Sequence, residues 1–559
     1  MARLHPTAAT PIAAGGRFGV LKQLGLVLLC ALWIALGLTG HDPWKTEDAA
    51  AFGVAVEMMR TGDWLQPTLA GEPFVERPPL AYATGALTGL LFGKLLPVFD
   101  AARLAAGVML ALTLLLLAAI AQELYGRSLR SVAVLLLVGS VGLWDRAHQM
   151  SPELGLLLGV AIALYGFALA LRKPVVGGAI IGTGIAIAFL SRGFLGPLWL
   201  ALTAVVLPIG FREWRSRGYA QAVGIAVVVA VVLGGSWPLA LALRGSTYLD
   251  AWWAAESLGD YFAPISPEAS ADPLYVLKNL PWYAWPALPL VLWTFWTRGR
   301  GFKGGLRSAA IALPTVLAAV IFLMLLVMSE PRASNWMPLL LPLCLLATAE
   351  VDTLPRGFSG ALDWFGILTF GLLAALVWGL WFDAYAHGIS PSIAHIFRDT
   401  EPGYRPPWSW PALAISAFLS VVWIVLVRPA RRTNRRAVLN WAVGMTLVWG
   451  LYMTIWLPYL DSRRSYRSVA EALAKQLPAE GCVASRNLGD PQRALLHYFT
   501  GLVTVREETR PNHGCELLLV QYGRQDGAPI VRLGYEVAWT GSRRGDDTER
   551  FVLFRRSPT

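Results

Sequence analysis

Glu47, Asp48, Glu76, Arg77, Glu153, Arg192 and Arg332 are the residues whose types and positions in this chain can do chemistry. Glu47 and Asp48 are adjacent and open a helix-like run that ends near Arg60. A carboxylate so placed can take the proton of a hydroxyl or orient it for attack. The same pair also suits a humbler task, since acids favour the positive end of a helix and Thr46 is placed to cap it. Glu153 follows Ser151-Pro152 at the start of an apolar stretch, Arg192 lies in the three-residue turn Ser191-Arg192-Gly193, and Arg332 lies in the short turn Ser329-Glu330-Pro331-Arg332. Glu76-Arg77 precedes Pro78-Pro79. Arginines so gathered can grip an anionic headgroup through paired, charge-assisted hydrogen bonds, while carboxylates activate a hydroxyl beside it. Taken singly, each is equally an interfacial anchor or a helix cap.

The elements that must hold these residues are set by composition. Of 559 residues, 55% are hydrophobic and 15% charged, where a soluble chain carries about 25% charged residues. Mean hydropathy is +0.52. A disordered chain, an ordinary nucleic-acid-binding domain and a soluble enzyme are thereby excluded, and most of the chain is expected to dissolve in lipid. A net charge of +11 reflects loop topology in such a chain and implies no nucleic-acid partner. Crossing the hydrocarbon core takes about 20 apolar residues. Spans are expected over 21–39, 102–122, 129–145, 153–171, 175–190, 194–210, 220–243, 280–296, 307–328, 336–350, 362–382, 409–427 and 437–458, thirteen in all. Residues 80–96 are read as a helix at the interface, and the first span as retained, since no small-residue cleavage site follows it.

With the N-terminus in the cytoplasm, the loops assigned inside carry Lys and Arg at about three times the density of those outside, as the positive-inside rule requires. Segments 41–101, 146–152, 191–193, 244–279, 329–335 and 383–408 then face outward, so the seven residues singled out share one side of the membrane. The tail from Asp461 is a different material. Ser465–Leu477 has helical spacing, while 481–485, 516–520 and 551–554 read as buried strands. A mainly α, polytopic protein with interfacial helices is expected, with a transmembrane domain over 1–460 and a small periplasmic α/β domain over 461–559. Cys482 and Cys515 both fall beside tail strands, where a disulfide or two buried free thiols would fit; Cys30 and Cys344 lie within spans.

The stretch from Trp44 to Gly89 resembles the first external loop of the lipid-linked-sugar glycosyltransferases of GT-C fold, the family of the dolichyl-phosphate-mannose protein mannosyltransferases and the bacterial aminoarabinose (lipid A) transferases. An acidic pair, a helix, Gly62-Asp63-Trp64-Leu65-Gln66-Pro67 and Gly71-Glu72-Pro73-Phe74-Val75-Glu76-Arg77-Pro78-Pro79 follow in the family's order and spacing. Pro152-Glu153 looks like its second acidic position, Leu190-Ser191-Arg192-Gly193 like its Thr-Lys-Gly turn, and Pro331-Arg332 before Trp336 like its Lys-Leu-Pro segment. The departures are Glu47-Asp48 for Asp-Glu, Ala50-Ala51 for Arg-Tyr, and Arg for Lys at 77, 192 and 332. The Lys-to-Arg changes keep the charge and change the geometry.

The resemblance implies an inner-membrane, inverting glycosyltransferase. It would move a sugar from an undecaprenyl-phosphate-linked donor to a lipid, glycan or protein acceptor, lipid A among them, on the periplasmic face. Glu47, Asp48 and Glu153 would be catalytic, while Glu76, Arg77, Arg192 and Arg332 would bind substrate. A multi-span transporter or flippase of a lipid-linked or anionic substrate is the alternative reading. Neither paired broken helices nor an internal repeat supports it. Scattered His and no HExxH motif give no metal signature and no cofactor is expected; a divalent cation between Glu47 and Glu153 is left open.

Overall fold

The structure, a computed structural model, describes residues 17–255, 274–328, 333–389, 404–428, 433–478, 481–511, 514–523, 534–543 and 548–557. Arg332 lies outside them. The chain is mainly helical. Helix α1 is Arg17–Ala35, α2 Glu47–Thr61, α3 Leu80–Phe92, α4 Val98–Tyr125, α5 Arg130–Val138, α6 Pro152–Ala170, α7 Pro174–Arg192, α8 Leu195–Gly210, α9 Arg217–Arg244 and α10 Ser246–Ala255. Then come α11 Tyr275–Tyr283, α12 Ala287–Gly299, α13 Ala309–Val327, α14 Met337–Ala349, α15 Arg356–His387, α16 Trp410–Val427, α17 Asn434–Tyr452, α18 Leu457–Arg464, α19 Arg467–Ala474 and α20 Asp490–Thr500.

Among the described residues, seven helices are long and apolar enough to cross a membrane: α4, α6, α7, α9, α13, α15 and α16. The pair α17 and α18, bent by 63°, adds an eighth. The segment expected to span over 280–296 is instead two helices meeting at Pro286, because proline cannot donate the backbone hydrogen bond that would continue the first. The expected 129–145 helix stops at Val138. There the Trp441 indole N–H takes the Gly139 carbonyl at 2.8 Å, so the irregular backbone that follows is satisfied inside the protein. Helix α6 is buried almost throughout, whereas α9, α15 and α16 expose apolar side chains such as Val231, Leu372 and Val421.

Residues 465–557 build a different layer. A five-stranded mixed sheet has the order β4-β3-β5-β7-β6. Its strands are β3 Val483–Arg486, β4 Thr504–Arg506, β5 Leu517–Gly523, β6 Tyr535–Gly541 and β7 Glu549–Arg556; a hairpin of β1 Thr68–Leu69 and β2 Glu72–Pro73 lies far upstream. β3 runs parallel to β4 and β5, and β7 runs antiparallel to β5 and β6. Alternation along β5 decides the faces. Leu517 and Leu519 pack against Val469 and Leu473 of α19 and Leu496 of α20, while Leu518 and Val520 join Val552 and Phe554 on the other face. Cys482 and Cys515 are disulfide-bonded across the β3–β5 pair, with Cα atoms 5.2 Å apart.

Candidate functional site

The segment 41–101 is folded, and its turns are spelled by sequence. Helix α2 ends at Gly62 in the left-handed region (φ 70°), with the Gly62 N–H on the Met58 carbonyl. Asp63 then accepts the N–H groups of Leu65 and Gln66 at 3.0 and 3.2 Å, closing an Asx turn. Ala70 and Gly71, both at positive φ, turn β1 into β2. Three contacts fasten this stretch to α9 and α10. Arg244 pairs with Asp63 at 2.7 Å, the Trp237 indole donates to the Leu65 carbonyl at 2.8 Å, and the Tyr248 hydroxyl donates to the Phe74 carbonyl at 2.8 Å.

Asp48 has a different occupation from the one its position beside Glu47 suggested. It is 2% exposed. Its carboxylate pairs with Arg103 at 3.0 Å and accepts the N–H groups of Met150 at 2.8 Å and Trp44 at 3.3 Å. Both oxygens accept hydrogen bonds, and the carboxylate ties the start of α2 to α4 and to the entrance of α6. Arg103, itself 1% exposed, also pairs with Asp100 at 3.1 Å and donates to the carbonyls of Leu38, His41 and Asp42. This hub was missed in the sequence because Arg103 was counted into an apolar span; the Asp100-x-x-Arg103 spacing at its start was the available signal. Glu47 is different again. It is partly exposed and accepts one hydrogen bond, from the Thr46 hydroxyl at 2.5 Å. Thr46 makes no side-chain cap bond to α2, contrary to the capping expectation.

Met150 is where three elements meet. Its N–H is held by Asp48 at the start of α2, its sulfur lies against Gly85 of α3, and three residues later Glu153 opens α6. A Cβ at Gly85 would stand 2.6 Å from that sulfur, so any larger residue there would make the Met150 side chain shift. Glu153 and Arg192 then pair at 3.2 Å between α6 and α7, both buried. Close helix packing allows this: a Cβ at Gly155 would collide with the Ser191 side chain beside Arg192. The second Glu153 oxygen, Oε2, is buried and has no hydrogen-bond partner among the described residues.

Tyr82, one turn before Gly85, was not singled out in the sequence. Its buried ring packs edge-on against Phe74 at 5.9 Å. Arg77, Glu153, Glu76 and Arg192 all lie close enough to act electrostatically on its hydroxyl. The four expected residues therefore share one neighbourhood, and Glu47 adjoins Asp48, which binds the Met150 N–H. The Arg77 guanidinium also donates to the Glu76 carbonyl at 2.6 Å. One turn before Arg192, Phe189 lines a mostly apolar groove of about 390 Å³ with Phe194, Pro238, Leu249, Trp252 and Trp253, and Asp250 is its one charged lining residue. Among the described residues, no three His, Cys, Asp or Glu side chains converge as a metal site.

The tail sheet closes on the same loop. Glu549 takes Lys45, the Tyr466 hydroxyl and Gln492, while Arg493 of α20 pairs with Glu72 at 2.7 Å and His497 with Glu57 at 2.8 Å. The His497 hydrogen bond holds the Glu57 carboxyl below its ordinary range against the opposing effect of burial. Asp42 is gripped by Arg467 and Ser465, and its N–H and the Trp44 indole both bond Asp461, at 2.9 and 3.0 Å.

Comparison with known proteins follows these residues. The family described as dolichyl-phosphate-mannose-protein mannosyltransferase matches residues 76–237, a stretch that holds Arg77, Glu153 and Arg192. The chain is 26% identical over 434 residues to the undecaprenyl phosphate-alpha-4-amino-4-deoxy-L-arabinose arabinosyl transferase 1 of Pseudomonas fluorescens Pf-5, across 73% of this chain and 75% of that protein. It is 28% identical over 372 residues to the corresponding transferase of Pseudomonas aeruginosa UCBPP-PA14, across 63% of this chain and 64% of that one. The crystal structure of ArnT from Cupriavidus metallidurans bound to undecaprenyl phosphate superposes with a TM-score of 0.70 at 17% identity, over 96% of this chain and 98% of that one. These likenesses do not favour a transporter or flippase. Residues 76–237 thus match the dolichyl-phosphate-mannose-protein mannosyltransferase family, most of the chain is similar in sequence to the aminoarabinose transferases, and the fold is similar to that of ArnT.

Proposed function

We propose that this chain is an inverting glycosyltransferase of the bacterial inner membrane that moves a sugar from a polyprenyl-phosphate donor, undecaprenyl phosphate as in its relatives, to an envelope acceptor such as lipid A. The observation that carries the reading is the buried Glu153–Arg192 pair, gathered with Arg77 around the Tyr82 hydroxyl and opening beside an apolar groove. Such a place suits a ligand with an anionic head and a long hydrocarbon tail. Arg77 and Arg192, joined by Arg332, hold the donor phosphate and stabilise the charge that grows on it as the sugar departs. Glu47 takes the proton of the acceptor hydroxyl. That oxygen forms its bond to the anomeric carbon as the bond to the phosphate oxygen breaks, and polyprenyl phosphate leaves already ionised, so no paired general acid is required. Glu153, through its unpartnered oxygen, and Glu76 hold sugar hydroxyls, and Asp48 fixes the loop.

In this reading the transmembrane domain covers 1–460 with thirteen spans, the shorter and broken helices included. The N-terminus is cytoplasmic, and the loop 41–101 and the α/β domain over 461–559 are periplasmic. The loop charge asymmetry supports that orientation, as does the Cys482–Cys515 disulfide, since such bonds persist in an oxidising compartment. Mass spectrometry of envelope lipids tests the function. Cells carrying the wild-type chain are expected to contain a glycosylated lipid that is absent from cells carrying Glu47→Gln; identical lipid profiles would count against it.

A further inference from the structure

A cleft of about 600 Å³ opens between α15, α16 and the bend that joins α17 to α18, away from the groove beside Arg192. Trp381, Ala412, Ile415 and Met453 supply apolar walls; Ser409 and Asp461 supply polar groups. One oxygen of Asp461 accepts both the Asp42 N–H and the Trp44 indole. Its second oxygen has no hydrogen bond among the described residues. Trp381 is 1% exposed, and its indole N–H is buried without a hydrogen-bond partner among the described residues. Trp408 and Trp410 stand exposed where α16 begins, with Tyr385 near the end of α15, an aromatic belt of the kind found at membrane–water interfaces.

We infer that this cleft is a binding site for a membrane phospholipid with a primary ammonium headgroup. The ammonium donates to Asp461 and the Ser409 hydroxyl, and the apolar walls receive the start of the acyl chains. A quaternary ammonium cannot donate, and a headgroup with only negative charge is repelled by Asp461. Because the same carboxylate holds Asp42 and Trp44, the lipid sits on the anchor of the segment that leads to Glu47.

The test is lipid retention, which is independent of sugar transfer. Full-length protein is placed in nanodiscs of equal phosphatidylethanolamine, phosphatidylcholine and phosphatidylglycerol with matched chains, then extracted and its bound lipid measured by native mass spectrometry. The wild type is expected to retain phosphatidylethanolamine about tenfold over its bulk share, the effect of one hydrogen bond to a charged group. Ala412→Trp, which adds bulk to the cleft wall and leaves the Asp461 carboxylate in the chain, is expected to lose that retention while melting as the wild type does. Retention in bulk proportions, preference for phosphatidylcholine or phosphatidylglycerol, or undiminished phosphatidylethanolamine on Ala412→Trp would each overturn the assignment.

Discussion

Glu47 and Asp48 are neighbours in sequence and opposites in surroundings. Asp48 is locked to Arg103 and two backbone N–H groups, whereas Glu47 is partly exposed with one local hydrogen bond. Breaking a buried ion pair from one side costs about 3–5 kcal/mol where the partner is left bare, and part of that here, where Arg103 keeps Asp100. Asp48→Asn is therefore expected to lower the melting temperature sharply, and Glu47→Gln to leave it unchanged; equal melting of the two would place Asp48 outside the framework. Sequence made the acidic pair visible but could not divide its labour. The division depends on Arg103, 55 positions away, arriving from α4. Tyr82 was hidden for a similar reason: an aromatic in an apolar run looks like packing until charges from the loop, α6 and α7 surround it.

At the scale of elements, α2 is held between the α6 entrance and α20 of the tail. Gly53 lets α20 approach so closely that a Cβ there would collide with Ala494, and His497 reaches Glu57 across the same contact. Since the folded Glu57 carboxyl binds its proton more weakly than the unfolded one, the pair stabilises docking above the ordinary glutamate value of 4.5 and loses that contribution as pH falls through the folded value. Melting temperature followed downward from pH 6 is expected to fall more steeply for the wild type than for Glu57→Gln; parallel curves would contradict the assignment. Helix α20 escaped the sequence reading although Asp490-Pro491, with proline in the first turn, marks its start. The spans were legible from their apolar runs, and their interruptions less so. Where α5 ends and where α11 meets α12, the chain leaves the helix because indole donors and prolines of particular residues decide the backbone's partners.

Across the whole molecule, the tail sheet and the loop 41–101 are joined by Lys45–Glu549, Glu72–Arg493 and Asp42–Arg467. The strands at 483–486, 517–523 and 549–556 were readable from short apolar runs; the choice between a disulfide and two free thiols was not, and neither were the edge strands β4 and β6, whose burial is incomplete. Alkylation of denatured, unreduced protein is expected to label Cys30 and Cys344 and leave Cys482 and Cys515 blocked; four labelled thiols would contradict the closed loop, which contributes about 3–4 kcal/mol on the chain-entropy account. The central claim is that this loop, the tail sheet and the membrane helices together discharge a polyprenyl-phosphate sugar. Proteoliposomes holding the full chain, supplied with undecaprenyl-phosphate sugars that include 4-amino-4-deoxy-L-arabinose and with lipid A, test it most directly. The wild type is expected to release undecaprenyl phosphate and glycosylate the acceptor, with Glu47→Gln slowed by at least about a hundredfold, the usual reach of a general base. Discharge of no donor by the wild type, or equal rates for the two proteins, would contradict the account.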